Sequence, residues 1–257
     1  MNPNARMSSL LPPLLPLLVS MGVFELAVRS GWLPSYLIPA PSEVMRSLID
    51  DRVELAVAAW ATLSAASAGL LLSFTTGTVF AIALSASDLA RRAFYPYAVF
   101  FQTVPIISIA PLLVIWFGFG QPTVIASAAI VSVFPIIAST LLGLKSTEPA
   151  LIDLFTLYSA SARQLLYMLK IPFALPQIFS GLRIASGLAV VGAIVGEFIG
   201  GGGLGSVVDS ARTQQRIDRV FAAVLISALL GAVLVGAVNL ISALTLGSWH
   251  ISERKAS

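Results

Sequence analysis

Long segments without a charged residue constrain this chain more than any other feature of its sequence. They cover residues 7–24, 55–87, 93–144, 184–196 and 220–252. A helix needs roughly 20 apolar residues to cross a hydrocarbon core about 30 Å thick, so the longest segment must hold two spans. The composition agrees, since 57% of the residues are hydrophobic, 11% are charged and the mean hydropathy is +0.93. The sequence therefore predicts an integral membrane protein.

These apolar segments predict an all-α fold with about six transmembrane helices. Gly118, Gly120 and Pro122 mark a turn inside the longest segment. Strands of a membrane barrel would alternate apolar and polar residues in segments of about ten, and the unbroken segments lack that alternation. The spans are expected near residues 10–28, 58–85, 94–117, 122–143, 173–198 and 220–246.

A single transmembrane domain is expected to cover residues 1–257. Its parts are a first helix in 1–30, an outer segment in 31–57 and a core bundle in 58–250. The core bundle includes a long loop at 145–172 between spans four and five.

The distribution of Lys and Arg predicts the orientation of the chain. If the amino terminus is cytoplasmic, eight of these residues lie on the inner side and six on the outer side. Both termini and the long loop are then cytoplasmic. Basic residues beside anionic lipid account for the net charge of +3, which predicts no nucleic-acid partner. On the outer side, Ser42 is expected to cap a short helix.

A polar segment at residues 145–176 interrupts the apolar pattern between spans four and five. Thr147 is placed to cap a helix that ends near Tyr158. Ser161 and Gln164 have the spacing of a capping box and predict the start of a second helix. The two helices would form a bent hairpin outside the membrane. Both a simple interfacial loop and a docking surface for another protein fit this pattern.

Pro172 is expected to end the second helix of the hairpin near Lys170. The reason is that the residue before a proline, here Ile171, disfavours helical geometry. Pro172 would then set the angle at which the chain enters span five.

Several kinds of chemistry are missing from the sequence. No Gly-x4-Gly-Lys-Ser/Thr phosphate loop occurs, so any ATP chemistry of that type must come from a partner. Gly200, Gly202 and Gly205 have dinucleotide-binding spacing, but no strand precedes them and we interpret them as an outer turn. The chain has no cysteine and no cluster of His, Asp or Glu with catalytic or metal-ligand spacing. We therefore expect no enzyme activity, no metal and no cofactor.

Polar residues in span three are candidates for lining a pathway through the membrane. Pro105 and Pro111 free backbone carbonyls that protein or a water-lined cavity must satisfy. Gln102 and Ser108 beside them are the candidate pathway residues. Such side chains also bond to neighbouring helices, which is the alternative interpretation.

Two charged residues fall within span five, and an ionisable group there is a functional candidate. Arg183 and Glu197 are 14 residues apart, which is about 21 Å along a helix. That distance is too long for a pair, so we expect each to anchor the helix near an opposite interface. Glu197 is also kept as a third candidate for the translocation pathway.

The loop between spans four and five resembles the EAA loop of permease subunits of ABC importers. That pattern has an acid, two alanines, a glycine and a terminal proline, and here Asp153, Ser159 and Pro172 stand at the acid, the glycine and the proline. Leu154 and Phe155 replace the two alanines. The residues that the resemblance assigns to ATPase coupling are Asp153, Ser159, Ser161, Arg163, Gln164 and Pro172.

The resemblance extends along most of the chain. Residues 37–44 (Leu-Ile-Pro-Ala-Pro-Ser-Glu-Val), 104–105 with 110–120, and 196–205 are similar to segments of the permeases for nitrate, sulfonates, taurine, pyrimidine precursors and riboflavin. This implies a type I ABC importer permease fold in the bacterial inner membrane. It also implies a second permease copy, two ATP-binding subunits and an extracytoplasmic solute-binding protein as partners.

The expected function is import of a small solute driven by ATP hydrolysis in a partner subunit. Residues 101–107 and 191–197 are closer to the pyrimidine-precursor and riboflavin branch than to the sulfonate branch. One alternative is a sulfonate, taurine or nitrate permease of the same type. The other is a secondary transporter without an ATPase, which would place ionisable residues near mid-membrane for ion coupling.

Overall fold

The computed structural model describes residues 3–246, without the side chains of residues 3–14 and 17. Residues 247–250 of the predicted core bundle therefore lie outside the described residues. Within them the fold is entirely helical, with a π-helical segment at Leu165–Lys170. The α-helices are α1 Pro3–Arg29, α2 Pro41–Asp50, α3 Arg52–Ser85, α4 Asp88–Thr103, α5 Ile106–Phe117, α6 Gln121–Lys145, α7 Pro149–Leu157, α8 Ala162–Gln164, α9 Ile171–Gly200, α10 Gly203–Thr213 and α11 Ile217–Leu246.

Four helices of the described region are long and apolar enough to cross a membrane. They are α3, α6, the continuous helix Ala162–Gly200 and α11. The bent pair α4 and α5 makes a fifth span if its two halves count as one. The predicted first span, residues 10–28, lies within α1. The all-α membrane fold predicted from the sequence is confirmed.

The third predicted span is not one straight helix. Helices α4 and α5 meet at an angle of 99°. Val104 between them has extended backbone angles, and Pro105 precedes the first residue of α5. Proline lacks an N–H and disfavours helical geometry at the residue before it, so the helix breaks at this point.

Helices α6 and α9 pack closely through small residues. A Cβ added at Gly192 would lie 2.8 Å from the Ser127 carbonyl oxygen, and one at Gly196 would lie 2.9 Å from the Ser127 hydroxyl. At the other end of the pair, a Cβ at Gly143 would lie 2.9 Å from the Ala174 methyl group. Lipid is as apolar as a helix face, so spans associate through close packing of this kind.

A charged network ties the α2–α3 junction to the α10–α11 junction. Arg216 donates to the Asp51 carboxylate at 2.8 Å, and Arg219 forms an ion pair with Glu54. Partial burial would raise the pKa of Asp51, but the hydrogen bond and charge of Arg216 outweigh it and hold that pKa below its usual value. The network closes the end of the bundle opposite to residues 145–172.

The short helix α2 begins two residues earlier than predicted. Ala40 is its N-cap and Pro41 its first residue, so the expectation that Ser42 caps it is wrong. The Glu43 carboxylate accepts the Ala40 N–H at 3.0 Å. Ser42 is bound instead by Glu25 of α1, whose carboxylate accepts both the Ser42 hydroxyl and its backbone N–H.

We predict that Gly192→Ala weakens the contact between α6 and α9. The new methyl group would overlap backbone atoms of α6, and overpacking of this kind costs about 1–3 kcal/mol. Gly231→Ala in α11 is the matched control, because a Cβ there meets no atom within 4 Å. The measurement is the thermal unfolding midpoint of both variants in detergent micelles. Equal midpoints would contradict the packing described for this pair.

Candidate functional site

The loop between α6 and α9 forms a helical hairpin, which we define as residues 145–172. Its first helix α7 runs from Pro149 to Leu157, so the predicted end near Tyr158 is confirmed. The predicted cap is wrong, because Glu148 precedes the helix and Thr147 lies outside it. The Thr147 side chain is buried instead, with its hydroxyl unpaired within the described residues.

Ser159 ends the first helix of the hairpin in a left-handed conformation with φ of 54°. The Ala160 N–H donates to the Phe155 carbonyl and the Ser159 N–H donates to the Thr156 carbonyl, at 3.0 and 2.9 Å. This pair of bonds is a Schellman motif, whose left-handed residue is most often glycine. Ser159 thus stands in a backbone conformation that favours glycine, the residue expected here from the EAA pattern.

The second half of the hairpin begins with the predicted capping box. The Ser161 hydroxyl accepts the Gln164 N–H at 3.3 Å, and the Gln164 side chain accepts the Ser161 N–H at 2.8 Å. Two backbone donors at the start of the helix are thereby satisfied. The capping box fixes the direction in which the chain leaves Ser159.

The expectation that Pro172 ends this helix near Lys170 is wrong. The chain passes through a π-helix at Leu165–Lys170 directly into α9, so that Ala162–Gly200 is one continuous helix. The Ile171 N–H donates to the Leu166 carbonyl, five residues back. The wider turn accommodates the missing N–H of Pro172, which then sits at the start of α9 where proline is tolerated.

The hairpin exposes both charged and apolar side chains. Asp153 and Arg163 are exposed, and neither forms a hydrogen bond or ion pair with another described residue. Leu157 and Tyr158 are 83% and 81% exposed. The other large apolar side chains exposed on the hairpin are Leu154, Tyr167 and Met168. A surface that exposes large apolar side chains together with unpaired charges is typical of a protein-binding surface.

The hairpin is also joined to the membrane bundle. Leu166 and Ile171 pack against a buried cluster formed by Leu144, Ala174 and Ile178. This cluster unites the last turn of α6 with the first turns of α9. A displacement of the hairpin would therefore move both helices, since packed side chains transmit strain.

The opposite end of α9 leads into a turn of glycines, which we define as the glycine turn, residues 200–205. The Glu197 carboxylate is buried and accepts the Gly205 N–H at 2.8 Å, and the Thr62 hydroxyl accepts the Leu204 N–H at 2.9 Å. Both amides belong to the first turn of α10. The N–H groups of a first turn have no acceptor within their own helix. Side chains from α9 and α3 therefore cap α10.

Glycine is required where the turn passes over the Glu197 carboxylate. Gly203 has φ of 62°, and a Cβ there would overlap the carboxylate oxygens. The Gly120 N–H donates to the Gly200 carbonyl at 2.8 Å and joins this turn to the one before α6. An open cavity of about 380 Å³ lies between the two turns and is lined in part by Glu197. The residue predicted for the pathway thus has a structural role as a cap and also borders a cavity.

The other two predicted pathway residues flank the break between α4 and α5. Gln102 lies near the end of α4 and Ser108 near the start of α5, and both are exposed. Neither side chain forms a hydrogen bond with another described residue. Neither is hydrogen-bonded to Glu197, which lies in α9 beneath the glycine turn.

Sequence reasoning missed Thr62, which caps α10 from α3. Threonine is frequent in this part of the chain, and nothing in its sequence neighbourhood distinguishes Thr62 from Thr75 or Thr76. Its role depends on Leu204, which is 142 positions away in the sequence and whose backbone N–H needs an acceptor.

The described helices match a solved transporter structure. An inward-facing structure of the MetNI methionine ABC transporter superimposes with a TM-score of 0.64 at 16% sequence identity, over 80% of this chain and 97% of that chain. The break in the third span, the hairpin and the four long spans thus form a type I ABC importer permease fold.

The chain belongs to the family of binding-protein-dependent transport system inner membrane components, whose model matches residues 69–245. The formylaminopyrimidine transport permease protein ThiX of Halalkalibacterium halodurans is 39% identical over 86% of this chain and 89% of its own length. The riboflavin transport system permease protein RibX of Chloroflexus aurantiacus is 30% identical over 83% of this chain and 81% of its own length. This chain is thus an ABC importer permease and a multi-pass membrane protein.

We predict that removing either cap loosens the start of α10. Glu197→Ala and Thr62→Val each leave a buried amide without its acceptor, which costs about 1–3 kcal/mol. The measurement is hydrogen exchange at the Gly205 and Leu204 amides, and each variant should speed exchange most at the amide that it uncovers. Glu197→Gln keeps an acceptor oxygen and should exchange more slowly than Glu197→Ala. Unchanged exchange in all three variants would show that these contacts do not hold α10.

Proposed function

We propose that this permease imports a small heterocyclic solute, a pyrimidine precursor, when two ATP-binding subunits hydrolyse ATP on its hairpin. A solute-binding protein delivers the solute at the opposite side of the membrane, where the glycine turn lies. A second copy of the chain completes the pathway. Both termini and the hairpin are cytoplasmic in this arrangement, in agreement with the distribution of Lys and Arg.

The observation that carries this proposal is the surface of the hairpin. Leu157 and Tyr158 are almost fully exposed on a segment outside the long apolar helices, and Asp153 and Arg163 beside them have no partner within the described chain. Burying apolar side chains of this size against a partner supplies affinity for that partner. Unpaired charges set the orientation in which the partner binds. Ser159 lies between the two helices, where its small side chain lets a partner approach.

The continuous helix Ala162–Gly200 provides the mechanical link in this proposal. Its 39 residues correspond to roughly 58 Å at a rise of 1.5 Å per residue. One end belongs to the hairpin and the other carries Glu197, which caps α10. A rigid-body shift of the docked ATPase would therefore reach the opposite side of the membrane through a single helix.

The two similar permeases support the choice of solute. The chain is more similar to the formylaminopyrimidine permease, at 39% identity, than to the riboflavin permease, at 30%. We therefore propose a pyrimidine precursor as the solute, with a riboflavin-type vitamin as the second candidate. Both are ring compounds with several hydrogen-bonding groups.

Reconstitution into liposomes tests this function. The chain is combined with its ATP-binding subunit and its solute-binding protein, and uptake of labelled formylaminopyrimidine, riboflavin and taurine is measured with and without ATP. We expect ATP-dependent uptake of formylaminopyrimidine. Uptake of taurine alone would indicate a sulfonate permease, and uptake by the chain without any ATPase would indicate a secondary transporter.

We predict that Ser159→Val uncouples the hairpin from its ATPase. A β-branched residue disfavours φ near 54°, and the two added methyl groups would lie at the proposed docking surface. ATP-dependent uptake should fall at least about 10-fold, the change expected for a loss of roughly 1.4 kcal/mol. Ser159→Gly is the matched control, because glycine favours the left-handed conformation and adds no bulk. Normal uptake and normal co-purification of the ATPase with Ser159→Val would contradict the docking model.

A further inference from the structure

Arg183 occupies an unusual place for a charged residue. It lies 12 residues after Ile171, the first residue of α9, which is about 18 Å along the helix. The side chain is exposed on the surface of the single chain. Arg183 thus lies near the middle of the continuous helix Ala162–Gly200, whereas the sequence predicts that it anchors the helix near an interface.

The guanidinium of Arg183 is held by a second helix. Its Nε donates to the side-chain oxygen of Asn239 in α11, which is also exposed. Asn239 is the only hydrogen-bond partner of the Arg183 side chain among the described residues. The two terminal nitrogens of the guanidinium carry four N–H donors, which point to no acceptor in that part of the chain.

No acid of the four long apolar helices lies close to Arg183 along the membrane normal. The acids of the four long apolar helices are Glu54, Glu197 and Asp218, and all three lie near the ends remote from the hairpin. Glu197, the one on the same helix, is 14 residues or about 21 Å away. In a two-fold dimer whose axis is normal to the membrane, a second copy carries its acids at the same depths. The same three acids of a second copy therefore do not reach Arg183 either.

Lipid is an unsuitable neighbour for this face. A guanidinium at the centre of a span is costly even on insertion scales, which allow it to reach water. Gly187 and Gly236 lie one helical turn from Arg183 and Asn239, and a Cβ at either glycine would meet no atom within 4 Å. The pair is thus bordered by open space, into which a small polar molecule can enter.

We propose that Arg183 and Asn239 form a recognition point for the solute inside the membrane, and that it binds oxygen acceptors. This inference rests on the proposed transport function. The Asn239 side-chain oxygen accepts the N–H at Nε of Arg183 and so orients the guanidinium. The two terminal nitrogens of the guanidinium then face the open space as a planar fork. Such a fork binds a carboxylate or sulfonate in two parallel hydrogen bonds, and binds a neutral carbonyl through the same donors.

The test uses the complete transporter, with its ATP-binding subunit and solute-binding protein, in liposomes. Labelled formylaminopyrimidine represents a neutral carbonyl compound and labelled taurine an anionic sulfonate. The variants are Arg183→Gln, which removes the charge, and Arg183→Lys, which keeps the charge but not the fork. Ile184→Val is the matched control, because Ile184 is the exposed neighbour of Arg183 in α9. Co-purification of the ATPase and the unfolding midpoint report on assembly and folding.

We expect Arg183→Gln to lower ATP-dependent uptake of the transported probe at least about 10-fold, because a charge-assisted hydrogen bond to the solute is lost. Co-purification of the ATPase and the thermal unfolding midpoint should stay as in the wild type. Ile184→Val should stay within two-fold of the wild type. If Arg183→Lys retains uptake, the site recognises the charge of an anion. If it loses uptake as Arg183→Gln does, the site recognises acceptors through the fork. Either result supports recognition of oxygen acceptors.

Two results would overturn the inference while the transport function stands. One is uptake within two-fold of the wild type in both Arg183 variants. The other is loss of assembly or a lowered midpoint in both variants, which would make Arg183 a structural residue. Failure of the wild-type complex to take up either probe with ATP would instead refute the proposed function itself.

Discussion

The close contact between α6 and α9 is the interaction on which the rest of the structure depends. Ser127 of α6 faces Gly192 and Gly196 of α9, and Gly143 near the other end of α6 faces Ala174. In lipid, helices gain little from hydrophobic burial against each other, so this fit of small residues is what holds the pair. Once α9 is placed against α6, the hairpin lies at one end of both helices and the glycine turn at the other.

The two ends of α9 are built by different means. At the hairpin, local bonds decide the geometry: a Schellman motif at Ser159, a capping box at Ser161 and a π-helical turn before Pro172. At the glycine turn, distant residues decide it, because Glu197 of α9 and Thr62 of α3 cap α10 together. A helix held by local bonds at one end and by tertiary contacts at the other is suited to carry a movement between them. This is the physical basis of the coupling that we propose.

The sequence predicted those features of the site that are local. The capping box and the end of α7 follow from short-range rules on turns and caps. Features that depend on partners distant in sequence were missed or misjudged. Thr147 and Ser42 are good caps by type, yet one is buried and the other is bound by Glu25. Pro172 does stop ordinary helical bonding, but a π-helical turn restores continuity, and no local rule on proline anticipates it.

By itself, the sequence determined that this chain is a helical membrane protein with a polar hairpin after its fourth span, because apolar length and the lack of charge leave no other stable fold in lipid. The order of its motifs also determined its family. The tertiary structure decided which polar residues are satisfied and which are open. Glu197 and Arg183 look alike in sequence, as single charges in one span. Packing buries the first beneath a turn that it caps, and leaves the second facing open space beside Asn239, because only neighbouring helices supply or withhold a partner.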